Sequence, residues 1–435
     1  MNYLIVMPIL TEIFEQSYTF PIGMAYVSSS LKQTGRNVFT YNLNYKSGSI
    51  EDNLRDVIIK NNIDVIATGG LTAQYWQLVE IFKAARKIKP DIITWIGGGI
   101  ITSAPIPAME AFEIADYGII GEGEITICEL ADALEGKRDI HSVDGIIFKE
   151  NGQWTITAQR AEIMDLDSLP YPDYEGFEYD VLLDKKPTDI YALNQGRFGI
   201  VSFGRSCPFN CTFCFHPSGT KYRKRSMDSV FKEIDYLIEK YNIRNIAVTD
   251  ELFVHKIEDV KEFCKRIKER NIGYVISLRV DMVNEEMFQL LKDSNCLSVG
   301  FGLESADNSV LKSMKKHITV EQIDEALALC KRIGLNSMGN FIFGDENETY
   351  EKAMNTINWW KAHPQYRIAL HMIVLYPGSE LYRNAVKNGA IKDQVQFIKD
   401  GCPYTNISKM TDEEYKDIML LTCVLNQGRT DIIED

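Results

Sequence analysis

CPFNCTFC, residues 207–214, places three cysteines within eight positions, and the nearest others are Cys128 and Cys264. Thiolates spaced this closely on a loop converge on one point, which is how proteins hold metals. A tetrahedral zinc site needs four ligands, and His216, two residues past Cys214, is a candidate for the fourth. An iron–sulfur cube accounts better for three, because three cysteines hold three irons and leave the fourth open to a substrate or cofactor. The cluster-like stretch follows residues 200–203, a short apolar run that reads as a buried strand.

Downstream, strand and helix patterns alternate five times between residues 200 and 376. Ser226 is positioned to cap a helix over 227–241. Asp250 and Glu251 end the next apolar run, IAVTDELF (246–253). Ser277 and Arg279 alternate on a strand over 274–280 and so face one side. Glu304 follows an almost wholly apolar strand, VGFGLES (299–305), where a carboxylate is costly without a partner. Asn340 and Gly344 lie on a further run, GNFIFGDENET (339–349). Cys264, Cys296 and Cys330 read as core filler, and Cys402 and Cys423 are too isolated to hold a second cluster. His255, His317 and His371 have no evident partner, and one of them is a candidate to touch substrate.

Upstream, residues 3–120 repeat a short apolar run followed by a helical pattern five times. Such alternation predicts a parallel, doubly wound sheet. Ligands of these sheets sit outside the carboxyl ends of the strands. Those ends are crowded here by Gly69 and Gly70 (with Thr72 just beyond), by Gly97, Gly98 and Gly99, and by Gly121 and Glu122. Glycines there serve either as plain turn residues or as room for a large flat or phosphate-bearing ligand. No G-x-G-x-x-G opens the first helix, which argues against a nicotinamide dinucleotide. Runs at 144–149 and 154–157 flank Asn151-Gly152 and predict a hairpin, while DLDSLPYPD (165–173) reads as a linker.

The chain has 435 residues, 45% of them hydrophobic and 25% charged, with a net charge of -14. That acidic balance argues against nucleic acid as a partner. No apolar run reaches the ~18 residues of a membrane span. The amino terminus lacks a signal peptide's basic start, so nine cysteines are expected to be reduced thiols in the cytoplasm.

C-x3-C-x2-C with Phe213 before the last cysteine resembles the signature of radical S-adenosylmethionine (SAM) enzymes. The runs at 223–235, 246–253, 299–305 and 339–349 resemble that family's partial (β/α)6 barrel in the same order. PIGMAY (21–26), the 96–99 glycines, IIGEGE (119–124) and the later YPGSELY (376–382) resemble the cobalamin-dependent branch, in which a Rossmann-like cobalamin-binding domain precedes the barrel. No histidine precedes His141, so the cobalt-ligating D-x-H-x-x-G of methionine-synthase-type domains is absent, and Ile100-Ile101 stands where relatives commonly carry Pro-His.

The resemblance implies an α/β chain of four parts: a cobalamin-binding-type domain (1–140), hairpin and linker (141–195), radical SAM barrel (196–390) and a helical carboxy-terminal region (391–435). The last part, with a helical pattern over 411–426, is expected to cover the open side of the barrel. Cys207, Cys211 and Cys214 would ligate a [4Fe–4S] cluster whose open iron takes SAM. Asp250 or Glu251 would accept from the SAM ammonium, Arg279 beside Ser277 would pair with its carboxylate, Glu304 would meet the ribose, and Phe213 and Asn340 would lie near adenine. The glycine-lined ends with Thr72 and Glu122 would face cobalamin. The implied reaction is methyl transfer to an unactivated carbon of a small molecule, with electrons from a reductant such as flavodoxin or ferredoxin. A non-methylating radical reaction and a zinc-stabilised, non-catalytic binding protein are the competing expectations.

Overall fold

The computed structural model describes residues 1–9, 20–44, 46–185, 195–253 and 256–430. Two sheets organise them. The first contains β1 (Asn2–Met7), β2 (Asn37–Asn42), β3 (Val65–Gly69), β4 (Ile93–Gly97), β5 (Tyr117–Ile119), β6 (Ile146–Glu150) and β7 (Gln153–Ile156). Their order is β2-β1-β3-β4-β5-β6-β7, with the first five parallel. Alternation along β1 shows why the sheet is covered on both faces. Tyr3, Ile5 and Met7 enter the core shared with helices Ile22–Gln33 and Gly123–Leu134, whereas Leu4 and Val6 enter the core under Ile50–Lys60 and Tyr75–Ile88.

The second sheet begins with β8 (Phe198–Val201). A two-residue ribbon, β9 (Gly204–Arg205) with β10 (Arg223–Lys224), closes the base of the cysteine loop. Then come β11 (Asn245–Val248), β12 (Gly273–Leu278), β13 (Cys296–Glu304), β14 (Ser337–Phe343) and β15 (Arg367–Met372). The order β15-β14-β13-β12-β11-β8 is wholly parallel, a six-stranded partial barrel with β8 and β15 at its edges. Ser226 caps helix Met227–Tyr241 as its position predicts, its hydroxyl accepting from Ser229 N at 3.1 Å. Phe301, Leu303, Phe341, Phe343, Ile368 and Leu370 are buried in the core under the helices. The intervening residues Ser277, Gly300, Gly302, Asn340 and His371 line the other, concave face; Ser277 pairs with Gly300, Gly302 with Asn340 and Ile342 with His371.

Four local expectations change. The hairpin at Asn151-Gly152 forms, with both residues at positive φ, but β6 pairs antiparallel with β5, so it extends the first sheet instead of linking domains. The helical pattern over 104–115 forms a helix only over Pro105–Ala111, and a separate short helix, Gly99–Ser103, precedes it, because Pro105 has no N–H to join the two. The strand expected to reach residue 280 ends at Leu278, leaving Arg279 at the cap of a short 3-10 turn. The carboxy-terminal region does not act as one cover. Helix Gln394–Lys399 packs on the first domain, with Ile398 in its core, while helix Asp412–Thr430 packs along β15. There Asn426 behaves like a neighbouring strand's peptide group: its Oδ1 accepts from Leu370 N at 3.0 Å and its Nδ2 donates to Leu370 O at 2.7 Å.

Candidate active site

Loop 206–222 springs from the carboxyl end of β8 and is tied down along its length. Ser206 Oγ donates to Gly219 O at 2.7 Å, Cys214 N to Cys211 O at 3.0 Å, and Thr212 joins the barrel through both backbone groups, from its N to Met314 O and from Leu381 N to its O. The three thiols converge enough to feel one another. Cys214 is pushed up to about 12, first by burial and then by Glu251, Cys211 and Cys207. Burial also raises Cys207 and Cys211. A loop that gathers three half-buried thiols close enough to act on one another suits a metal that replaces their protons.

Cations and acids surround the sulfurs. Glu304 lies at φ 63° at the end of β13, buried, and pairs with Lys316 Nζ at 2.7 Å. Lys316 is the partner this acid required; read in sequence, Lys315-Lys316 looks like ordinary solvated charge. Arg279 does not offer a free fork. Its Nε and Nη2 lie 3.0 Å from the two oxygens of Asp281, Nη2 also donates to Lys316 O at 2.7 Å, and its guanidinium stacks 3.7 Å from the ring of Phe209. It therefore braces the cysteine loop. Asp250 is buried and raised to about 7 by that burial; Oδ1 accepts from Phe203 N at 2.8 Å and Ser202 Oγ at 3.1 Å, while Oδ2 has no hydrogen-bond partner among the described residues. Glu251 turns to His216 instead, at 2.5 Å from Nδ1, and this bond raises the imidazole's pKa. The other ring nitrogen of His216 lies 3.2 Å from Phe209 O, and the ligand atoms of Cys214, His216 and Glu251 lie within 4.8 Å of one another, close enough to share a metal ion. Phe213 packs with Ile342 and Val374 against the apolar cluster around Ile373 and Leu375. Ser277 and Asn340 are exposed on the concave face, as is His371, whereas His255 lies outside the described residues.

At the first sheet, the glycines bring two loops together backbone to backbone. A Cβ on Gly69 would stand 2.6 Å from Gly97 O, and one on Gly98 (φ 86°) would stand 3.0 Å from Gly70 N. Gly121 (φ 78°) has open space where its Cβ would be. The carboxyl edge is thus closely packed backbone, flanked by the side chains of Gln74 and Leu71. Thr72 is buried beneath it, its hydroxyl facing the Cys402 thiol. Glu122 is not part of the edge's free surface: Oε1 pairs with Arg205 at 2.6 Å, and Oε2 with Arg223 at 2.7 Å and Ile163 N at 2.7 Å. The edge meets the cysteine loop through Phe215, which a Cβ on Gly99 would touch at 3.8 Å.

The chain matches the family models of the radical SAM superfamily over residues 201–359 and of the B12 binding domain over 16–131. It is 30% identical over 383 residues to an uncharacterized methyltransferase of Pyrococcus horikoshii, PH0819, covering 85% of this chain and 79% of that protein. The chain belongs to the B12-binding radical SAM family. Within it, the anaerobic magnesium-protoporphyrin IX monomethyl ester cyclase of Rubrivivax gelatinosus is 28% identical over 77% of this chain and 61% of the cyclase. In fold it is similar to the radical SAM methyltransferase TsrM of Kitasatospora setae, solved with cobalamin and a [4Fe–4S] cluster, at TM-score 0.73 and 18% identity over 90% of this chain and 76% of that one. The cofactors of a B12-binding radical SAM enzyme are a [4Fe–4S] cluster with SAM, and cobalamin. The residues present fit them: three cysteines close enough to interact for the cluster, a buried carboxylate oxygen on Asp250 without a partner among the described residues, and a glycine-lined sheet edge with open space at Gly121 for the large flat macrocycle. No helix among the described residues is long and apolar enough to cross a membrane.

Proposed function

We propose that this B12-binding radical SAM enzyme transfers a methyl group to an unactivated carbon of a small-molecule substrate bound on the concave face of the barrel. The observation that supports the reading is the approach of the cysteine loop to the glycine-lined sheet edge, where a Cβ on Gly99 would stand 3.8 Å from Phe215. When bound, the cluster and SAM supply a 5′-deoxyadenosyl radical and cobalamin supplies the methyl group.

The chain's part is binding, orientation and exclusion of water. Cys207, Cys211 and Cys214 hold the cluster. Asp250 Oδ2 accepts from the SAM ammonium, the one hydrogen bond its burial leaves unmade. Phe213 supplies an apolar wall towards the adenine. Ser277, Asn340 and His371, exposed on the concave face, hydrogen-bond the substrate or the SAM polar groups. Gly69, Gly70, Gly97, Gly98, Gly99 and Gly121 admit cobalamin to the sheet edge. Flavodoxin or ferredoxin serves as the electron donor.

The test is anaerobic reconstitution with iron, sulfide and hydroxocobalamin, then incubation with a reductant and methyl-labelled SAM. Label on protein-bound cobalamin, with 5′-deoxyadenosine formed on adding substrate extract, supports the reading. Cobalamin that never acquires label refutes methyl transfer. The cyclase relative supports a second reading, radical chemistry without methylation, in which 5′-deoxyadenosine accumulates and the product carries no label.

A further inference from the structure

Two contacts, one just before Cys207 and one just after Cys214, join the cysteine loop to the first domain. Before it, Arg205 bridges two acids of the β5 turn, with Nη1 2.6 Å from Glu122 and Nη2 2.5 Å from Glu124, and its guanidinium lies 5.3 Å from the Tyr26 ring centre. Arg223, paired with Arg205 across the ribbon, donates to the other oxygen of Glu122 and to Ile163 O at 2.9 Å. Glu162 accepts from Thr220 N at 2.8 Å at the far side of the same loop. Arg223, Glu122 and Glu124 are almost wholly buried, at 1%, 5% and 5% side-chain exposure, and Arg205 is mostly so at 13%. Such a network is expensive to desolvate and is held only if each charge is matched, as it is here. After the loop, Phe215 fills a notch between the domains: a Cβ on Gly378 would lie 2.6 Å from its ring and 3.1 Å from Ser103. Between these points Ser206 keeps a left-handed φ of 66°, a conformation that persists in a non-glycine residue only when its surroundings impose it.

We infer that Arg205 with Glu122 and Glu124, and Phe215 in the Gly99–Ser103–Gly378 notch, form a two-point clamp that sets the position of the [4Fe–4S] cluster relative to cobalamin. The inference rests on the proposed occupancy of both sites and adds positioning residues that are ligands to neither. It assigns Glu122 to this clamp. The physical reason to fix that spacing is severe: a displacement of about 1 Å at a reacting centre costs on the order of a hundredfold in rate.

The experiment uses the reconstituted full chain reduced to the state in which both cob(II)alamin and the cluster are paramagnetic. Their dipolar splitting in electron paramagnetic resonance reads distance and orientation without any turnover. Glu122→Gln and Phe215→Leu are each expected to shift or broaden the splitting while iron, sulfide and cobalamin contents stay at parent levels. A purely structural role would lower the melting temperature and leave the splitting sharp and unmoved, which overturns the inference. Should Glu122→Gln fail to fold, Arg205→Lys carries the same expectation, because one ammonium cannot bridge both carboxylates. A parent protein with no bound cob(II)alamin signal refutes the cofactor reading itself, and so is told apart from failure of the clamp.

Discussion

Glu348 is fully buried past the end of β14. One oxygen accepts from Gly344 N at 2.6 Å; the other has no partner among the described residues. Burial, joined by the nearby charges of Asp345 and Asp307, raises its pKa to about 8, and Tyr415 packs against the Gly344 turn alongside it. An unfolded chain releases this proton near pH ~4.3, so between that value and pH 8 the folded protein binds one proton more than the unfolded one. Stability contributed by this group therefore falls as pH rises through the window and levels off above pH 8. From pH 6 to 8 the slope amounts to about 2.5 kcal/mol, at ~1.36 kcal/mol per pH unit. Glu348→Gln keeps an acceptor for Gly344 N but has no proton to lose, so it removes that slope. Thermal unfolding of both proteins across pH 6–8 is the assay. At ~2.1 cal/mol/K per residue, the melting temperatures should diverge by about 3 °C over the window, the variant gaining on the parent as pH rises. Melting curves that run parallel from pH 6 to 8 refute the assignment of a neutral Glu348.

Cys207→Ala, Cys211→Ala and Cys214→Ala should each abolish the visible absorption and the bound iron of the reconstituted cluster; retained iron would contradict the ligand set. Lys316→Met strands Glu304 as an unpaired buried carboxylate and should cost about 3–5 kcal/mol in chemical denaturation, whereas the double variant with Glu304→Gln should recover much of it. Asn426→Ala removes both partners of Leu370 at the barrel edge and should cost about 1–3 kcal/mol, read most directly as faster hydrogen exchange at the Leu370 amide.

Features set by local pattern were legible in the residues. The alternation of Tyr3 to Met7 between two cores, the Ser226 cap and the glycine strand ends each depend on neighbours within a few positions. The cysteine spacing likewise announced a metal loop, since convergence on a short loop needs no distant partner. What escaped notice depends on residues far away in the chain. Glu122 sits in a glycine-rich turn that resembles a cofactor edge, yet its counter-ions are 83 and 101 residues downstream. Arg279 alternates with Ser277, but its contacts with Asp281 and Phe209 are made by the fold and cannot be read from the period. Lys316 is a member of an unremarkable charged run until β13 brings Glu304 beside it. Period-2 patterning also cannot say which sheet a hairpin joins, and so the Asn151-Gly152 hairpin was legible as a hairpin but not as an extension of the first sheet.

Ile398 lies without exposed surface among Tyr75, Phe82 and Met109, in the core on one face of the first sheet. During synthesis the strands of that sheet leave the ribosome some 240 residues before Ile398 does, β7 ending at Ile156. At translation speeds of ~5–20 residues per second the apolar patch between helices 75–88 and 105–111 stays open for roughly 10–50 seconds. Expressing residues 1–140 alone would leave the ground between helices 75–88 and 105–111 open where Ile398 sits, and the fragment is expected to self-associate there.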